Sequence, residues 1–163
     1  NRQVAEQWAA QSAPQGQGSN FFFSGPTIYS YGMHFPAAKL LRGQDGKQYA
    51  IVTREGYSVT TAHHTSHING ALAGMPRIDV YGHEFDYIER DFEKHVVDMV
   101  GDVRELTGKQ SRARKFDYAE DVDRVYQNFL NLCNFCNRPP VQPGMSAART
   151  AFFEAHTAWV LAR

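Results

Sequence analysis

Two cysteines are the first residues in this sequence whose spacing could support chemistry. Cys133 and Cys136 are separated by two residues, which lets both thiolates reach one metal ion or form a redox pair. The chain has no other cysteine, so a zinc site would need two histidines to complete it. Both also lie on the apolar stripe of a predicted helix, where a free cysteine behaves as a small hydrophobic residue. Buried thiols, a zinc site and a redox pair are therefore the three alternatives.

Histidines form the second group, within residues 62–67. On a helix His63 and His67 share one face at the i, i+4 spacing that suits a shared metal ion. The metalloprotease pattern HExxH is not present, because His64 occupies the position of the glutamate that would act as general base. His64 falls on the side of Ile68 and is expected to be a core histidine that is hydrogen-bonded to the backbone. For the face of His63 and His67, helix packing, metal binding and ligand contact are the alternatives.

Hydroxyl groups precede the helix that carries these histidines. Tyr57, Ser58 and Thr61 stand where free N–H groups and the helix dipole could hold a phosphate or a carboxylate. Capping of the helix by a threonine is the simpler explanation. The sequence contains no glycine-rich phosphate loop, no GxSxG motif and no paired carboxylates that would name a reaction class.

Aromatic side chains alternate in a preceding segment that reads as a strand. Tyr29 and Tyr31 share one face of residues 27–35, because side chains alternate between the two faces of a strand. Such a face could stack nucleic-acid bases, and it could equally be the packed side of a sheet under helices.

These groups need a scaffold, and the periodicity of the sequence predicts an α+β fold. A small antiparallel sheet, built on a hairpin over residues 27–54 with its turn at residues 43–46, precedes the helices. We expect residues 1–19 to be a tail or short helix with a flexible tether, and residues 20–163 to form one domain. Apolar residues at three- and four-residue steps predict helices at about 61–73, 84–106, 119–136 and 146–163.

Composition excludes several classes of protein. The 163 residues carry 17 Lys and Arg against 17 Asp and Glu, so a general polycation for DNA is excluded. No apolar run approaches the roughly 20 residues of a membrane span, and the Gln-rich first residues are unlike a signal peptide. We therefore expect a soluble, cytoplasmic protein without a membrane partner.

The neutral total conceals charge bands in the second half of the chain. Residues 79–105 hold nine acidic and three basic side chains. Four basic residues follow with no acid between them, namely Lys109, Arg112, Arg114 and Lys115. Acids return from Asp117 onward. Bands of this kind are typical of solvated helix faces, and they also suit a local, oriented contact with a partner.

Two segments resemble a domain of unknown function that bacteriophages and related mobile elements carry. Residues 27–38 have the form YSYGxHFPxA and residues 57–64 the form YSxTTxxH, so the similarity covers about residues 20–75. The resemblance implies a phage-type origin and assigns no activity. It groups seven residues as one unit: Tyr31, Gly32, His34, Tyr57, Ser58, Thr61 and His64.

Three functions from different classes follow from these patterns. The first is a phage or mobile-element accessory protein that binds a host or viral macromolecule, most simply a protein, without catalysis or a cofactor. The second is a zinc-stabilised nucleic-acid-binding domain in which residues 109–115 contact phosphate. The third is a hydrolase or nuclease with His34 and His64 as acid and base. Oligomeric state is not encoded in any of these patterns.

Overall fold

The computed structural model describes the backbone of residues 1–55 and 59–163, and the side chains of residues 1–55 and 62–163. The chain divides into two compact units, Asn1–Tyr87 and Ile88–Arg163. All strands that the structure describes belong to the first unit, and the three longest helices belong to the second. The predicted α+β class is confirmed.

The first unit is built on a six-stranded sheet whose strand order follows the chain. Neighbouring strands are antiparallel except the last pair, which is parallel. The predicted antiparallel sheet is thus a mixed one. The strands are β1 (Gln15–Gln17), β2 (Phe21–Ser24), β3 (Thr27–Ser30), β4 (Pro36–Arg42), β5 (Gln48–Thr53) and β6 (Arg77–Val80).

The hairpin predicted over residues 27–54 contains three strands, so its two predicted strands do not pair with each other. The turn at residues 43–46 joins β4 to β5, with Gly46 at a φ of 78°, a left-handed conformation that glycine adopts without a steric penalty. The predicted strand 27–35 ends at Ser30, because Tyr31 takes a φ of 74° and residues 31–35 form a turn. Strand β4 lies between β3 and β5 and was not predicted.

The N-terminal segment, predicted as a tail or short helix with a flexible tether, forms a short helix that packs onto the sheet. Helix α1 (Arg2–Ala10) buries Val4, Ala5 and Trp8, which share one helix face. The indole Nε1 of Trp8 donates a hydrogen bond of 2.7 Å to the carbonyl of Pro26. Strand β1 lies within the predicted tether and pairs with β2. The apolar side chains of α1 therefore belong to the core of the first unit.

Helix α2 (Val59–Ala71) connects the parallel strands β5 and β6. His64 and Ile68 of this helix, and Leu72 directly after its end, recur every fourth position and are buried, which gives the helix one face toward the core. Ile68 and Leu72 pack in the same cluster as Ala50 and Val52 of β5. The observed helix matches the predicted one at about residues 61–73.

The second unit consists of helices α3 (Phe92–Arg112), α4 (Ala119–Cys136) and α5 (Pro143–Leu161), with α3 packed against both α4 and α5. The predicted helix at 119–136 is confirmed at both ends. The helix predicted at 84–106 is shifted to Phe92–Arg112: residues 85–87 form a single 3₁₀ turn before it, and the helix continues six residues beyond the predicted end. The helix predicted at 146–163 is observed at Pro143–Leu161. Among the described residues, no helix is both long enough and apolar enough to cross a lipid bilayer.

Candidate functional site

A buried serine–histidine pair lies between the sheet and α2 in the first unit. The Oγ atom of Ser30, the last residue of β3, is 2.6 Å from Nδ1 of His64 on α2. The exposed fractions of these residues are 0% and 1%. The imidazole stacks on Phe21 at a centroid distance of 4.6 Å, and Tyr31 lies over it at 5.8 Å. His64 is thus a core histidine, as predicted, but the partner of its Nδ1 is the Ser30 hydroxyl and not a backbone group.

The environment of His64 favours its neutral form. Burial lowers the pKa of His64, and the nearby His67 and His63 lower it further, while the backbone of Ser19 acts in the opposite direction. Its Nε2 atom is buried and forms no hydrogen bond of normal geometry with any residue that the structure describes. A serine–histidine hydrogen bond is the first element of an activated nucleophile, but a nucleophile must be reached by its substrate. Ser30 is closed to solvent, so we assign the pair a structural role.

The resemblance grouped Tyr31, His34 and His64, and the structure separates them by exposure. Tyr31 is half exposed and touches the His64 ring. His34 is exposed and lies against Gly32, where an added Cβ would be 2.9 Å from the imidazole. No hydrogen bond or ring contact among the described residues joins His34 to His64, and the hydrolase hypothesis stays a prediction. Tyr29 stacks on Phe22 at 4.9 Å and is partly buried.

Part of the predicted anion site lies outside the described residues. Tyr57 and Ser58 are not described, and Thr61 is described only as a helical backbone position of α2. The anion-binding hypothesis for this turn stays a prediction.

The cysteines and the paired histidines occupy different units. Cys133 is buried and Cys136 is partly buried, both in the last turns of α4. Burial raises the pKa of Cys133 to about 11 and that of Cys136 to about 12, so both are neutral thiols at neutral pH. His63 is exposed and His67 partly exposed on α2. Among the side chains that the structure describes, no group of three or more His, Cys, Asp or Glu residues could hold a metal ion.

The predicted basic residues meet at one end of the second unit. Two lie in the last turn of α3, where the helix dipole favours cations, and two lie in the loop that leads to α4. Arg163 adds a fifth cation from the end of α5. We call this surface the basic corner, and it comprises Lys109, Arg112, Arg114, Lys115 and Arg163. Lys109 is 3.6 Å from Glu105, whereas Arg112, Arg114 and Lys115 form no ion pair with any described residue.

Three side chains fix the loop that carries Arg114 and Lys115. Gln110 is fully buried, and its amide donates to the carbonyl of Phe116 at 3.1 Å while its oxygen accepts the N–H of Tyr118 at 2.8 Å. The indole of Trp159 donates to the carbonyl of Ala113 at 2.9 Å.

His156 provides the third attachment. Its Nε2 lies 3.0 Å from a carboxylate oxygen of Asp117. The N–H of Ala119 and, next, His156 lower the pKa of Asp117. The cations of the loop are therefore presented from a backbone that is held on both sides.

A cavity of about 410 Å³ opens beside the basic corner. Arg114 and Arg163 stand at its rim, and the guanidinium of Arg163 lies 4.6 Å from the centroid of the Trp159 ring. The remaining lining is small or apolar: Ser111, Ala113, Ala155, Ala158, Trp159 and Ala162. The cavity therefore has a largely apolar wall flanked by the positive charges of Arg114 and Arg163.

Sequence reasoning missed several residues that shape these sites. Ser30 carried a signal, since it alternates in register with the buried Ile28. Gln110 and Arg163 carried none, because a polar residue in an amphipathic helix and a single cation near the end of a chain are typical of solvated surfaces.

Comparisons with models of known protein families, with curated proteins and with solved structures found no match to this chain.

Proposed function

We propose that this protein acts by binding an acidic segment of a partner protein at the basic corner, without catalysis. The observation that carries the proposal is a set of cations that form no ion pair within the described part of the chain, Arg112, Arg114 and Lys115, beside an apolar cavity in the second unit. The resemblance to the phage domain suggests that the protein is an accessory factor of a phage or mobile element, working in the cytoplasm of a host cell.

The attachment of the loop supports recognition of a defined partner. Binding costs less conformational entropy when the groups that make contact are already held in place. Gln110, Trp159 and His156 hold the loop from α3 and α5, so Arg114 and Lys115 start from a fixed backbone. The net charge of zero favours a local contact of this kind over general attraction to polyanions.

The chemistry of the cavity favours a protein partner over nucleic acid. Trp159 is only 8% exposed, and Arg163 lies over its ring, so a base could stack there only after displacing that guanidinium. The alanine side chains offer contact to aliphatic groups, and the guanidinium groups at the rim form paired hydrogen bonds with carboxylates. A segment that alternates acidic and aliphatic side chains fits both features.

The test measures binding of two labelled probes by fluorescence anisotropy, an acidic–aliphatic peptide and a single-stranded DNA of equal charge. We expect the peptide to bind more tightly, and Arg114→Glu with Lys115→Glu to weaken it by at least about tenfold, which corresponds to about 1.4 kcal/mol. The control is Lys47→Glu, which reverses a single charge in the exposed turn before β5 and should leave binding unchanged.

Two outcomes would contradict the proposal. Tighter binding of the DNA, with an affinity that falls steeply with salt, would assign the basic corner to phosphate instead. A loss in free energy of binding per reversed charge that is equal in the Lys47→Glu control and in the double variant would show that the peptide responds to overall charge and not to this surface.

A further inference from the structure

A second cavity, of about 520 Å³, lies in the first unit between α2 and the parallel strands β5 and β6. Its volume falls within the range of about 300–1,000 Å³ that is typical of small-molecule sites. Its lining comes from three elements. Strand β5 and the two residues after it contribute Val52, Thr53, Arg54 and Glu55; α2 contributes Ala62, Thr65, Ser66 and Asn69; and β6 contributes Arg77 and Asp79.

The cavity exists because two polar surfaces face each other where apolar ones would pack. Asp79 pairs in register with Val52, and Arg77 lies two residues earlier on the same face of the sheet. The same face of the sheet packs, through Val52, against Ile68 of α2 and against Leu72, the residue after that helix. At β6 the apolar contact is lost, because its side chains on this face are charged.

The facing side of α2 is small and polar. Residues 62, 65, 66 and 69 follow the helical repeat and form a stripe beside the buried one, and their side chains carry at most a hydroxyl or an amide. Of these side chains only Asn69 forms a described hydrogen bond to β6, and the short Ala62, Thr65 and Ser66 leave space between the helix and the strand. The result is a cavity whose wall combines hydrogen-bonding groups and apolar area in similar amounts.

The charged groups on the strand side are held in fixed positions. The Arg77 guanidinium donates to one oxygen of Asp79 from Nε at 3.1 Å and from Nη2 at 2.7 Å. Its Nη1 donates to the side-chain oxygen of Asn69 at 2.7 Å, which ties β6 to α2 across the cavity. Arg77 has five N–H groups in a rigid planar fork, so this network sets its orientation.

Glu55, beyond the carboxyl end of β5, is fixed in the same way. One of its oxygens accepts the N–H of Gly82 at 3.1 Å, and the other lies 3.0 Å from Nε2 of His83. Arg54 lies over the ring of Tyr81 at 4.2 Å from the centroid. The charged lining groups are therefore two guanidiniums and two carboxylates, all already engaged, and their formal charges cancel.

This balance decides which ligand the cavity suits. A free anion at Arg77 or a free cation at Asp79 would compete with the existing ion pair between these two residues, and separating that pair leaves a charge uncompensated. A hydroxyl group both donates and accepts, so it can add a hydrogen bond to a paired carboxylate or guanidinium without breaking the pair. We propose that this cavity binds a small, neutral, polyhydroxylated ligand, a sugar or a sugar moiety, through Asn69, Arg77, Asp79 and the hydroxyls of α2.

Nuclear magnetic resonance on the ¹⁵N-labelled full chain tests this assignment. The probes are D-glucose, D-ribose and N-acetyl-D-glucosamine, with L-glutamate and inorganic phosphate as charged competitors. We expect at least one sugar to cause saturable shifts in the amides of Thr65, Ser66, Asn69 and Asp79 at millimolar concentration. Glutamate and phosphate should cause smaller shifts at these positions.

Variants on α2 separate this site from nonspecific effects. Asn69→Leu removes the exposed amide at the cavity wall and should weaken sugar binding by about tenfold, the cost of roughly one hydrogen bond. His63→Leu changes an exposed residue of the same helix outside the cavity and should leave binding unchanged. Ser66→Ala provides an independent probe if Asn69→Leu alters the fold.

The proposal is overturned by any of three results. These are the absence of saturable shifts with every sugar, larger shifts at the cavity with glutamate or phosphate, and sugar binding that is unaffected in both Asn69→Leu and Ser66→Ala.

Discussion

The buried pair of Ser30 and His64 allows a prediction about the stability of the first unit. Replacing Ser30 with alanine removes the 2.6 Å hydrogen bond to Nδ1, so His64 would have both ring nitrogens buried without a partner. An unsatisfied buried polar group costs about 1–3 kcal/mol. With a urea m-value of about 1–2 kcal/mol/M, a loss of about 2 kcal/mol lowers the unfolding midpoint by about 1–2 M.

Each unit has its own tryptophan, which makes the measurement specific. Trp8 lies in the first unit and Trp159 in the second, so urea unfolding in a Trp159→Phe background reports the first unit through Trp8. His64→Phe keeps the stacking on Phe21 and removes the imidazole. Because the double variant with Ser30→Ala leaves neither partner of the hydrogen bond, its loss should be smaller than the sum of the two single losses, by about 0.5–3 kcal/mol.

The pH dependence of the same variants is an independent readout. Burial lowers the pKa of His64 in the folded state, so below about pH 6.5 the unfolded chain binds more protons than the folded one. Stability of the first unit should then fall as the pH is lowered, by at most about 1.4 kcal/mol per pH unit, and this dependence should be reduced in His64→Phe. A Ser30→Ala loss below about 0.5 kcal/mol together with additive single losses would refute the reasoning.

Three further predictions concern the second unit. Gln110→Leu leaves two backbone groups of the α3–α4 loop without their side-chain partner. The free energy of unfolding should fall by about 2–4 kcal/mol, measured by urea unfolding followed through Trp159 fluorescence. An unchanged unfolding midpoint would contradict the loop attachment. Cys133 and Cys136 should react with a thiol reagent at pH 8 at least about a hundredfold more slowly than free cysteine, and at the normal rate in urea, because their thiols stay protonated in the fold. Burial also lowers the pKa of His95, so the second unit should lose stability below about pH 6.5, and His95→Leu should flatten that slope in acid titrations.

Prediction from the sequence succeeded where the structure is local. The helix at 119–136 was predicted with its observed ends, because its apolar stripe and the acids of its first turn are properties of the segment itself. Strand β4 was missed, since Pro36–Arg42 shows no alternation and is a strand only because β3 and β5 flank it. Strand β1, with the residues Gln-Gly-Gln, is likewise defined by its pairing with β2.

The same distinction between local and long-range features applies to the candidate sites. The sequence identified the cations of residues 109–115 and the burial of His64, because charge bands and helical repeats are visible along the chain. It did not identify the cavity between α2 and β6, or the apolar cavity of the second unit, since each is lined by segments that are far apart in sequence.

The sequence by itself determined the fold class, the presence of the long helices, both ends of the one at 119–136, and the sign of the charge on each band. Only the tertiary structure decided which strands pair, that Trp8 enters the core, that Ser30 is the partner of His64, and that Arg163 joins the basic corner. The physical reason is the separation along the chain over which each interaction acts. Helical periodicity and charge act over neighbouring residues, whereas strand pairing, buried hydrogen bonds and cavities depend on contacts that exist only after the chain has folded.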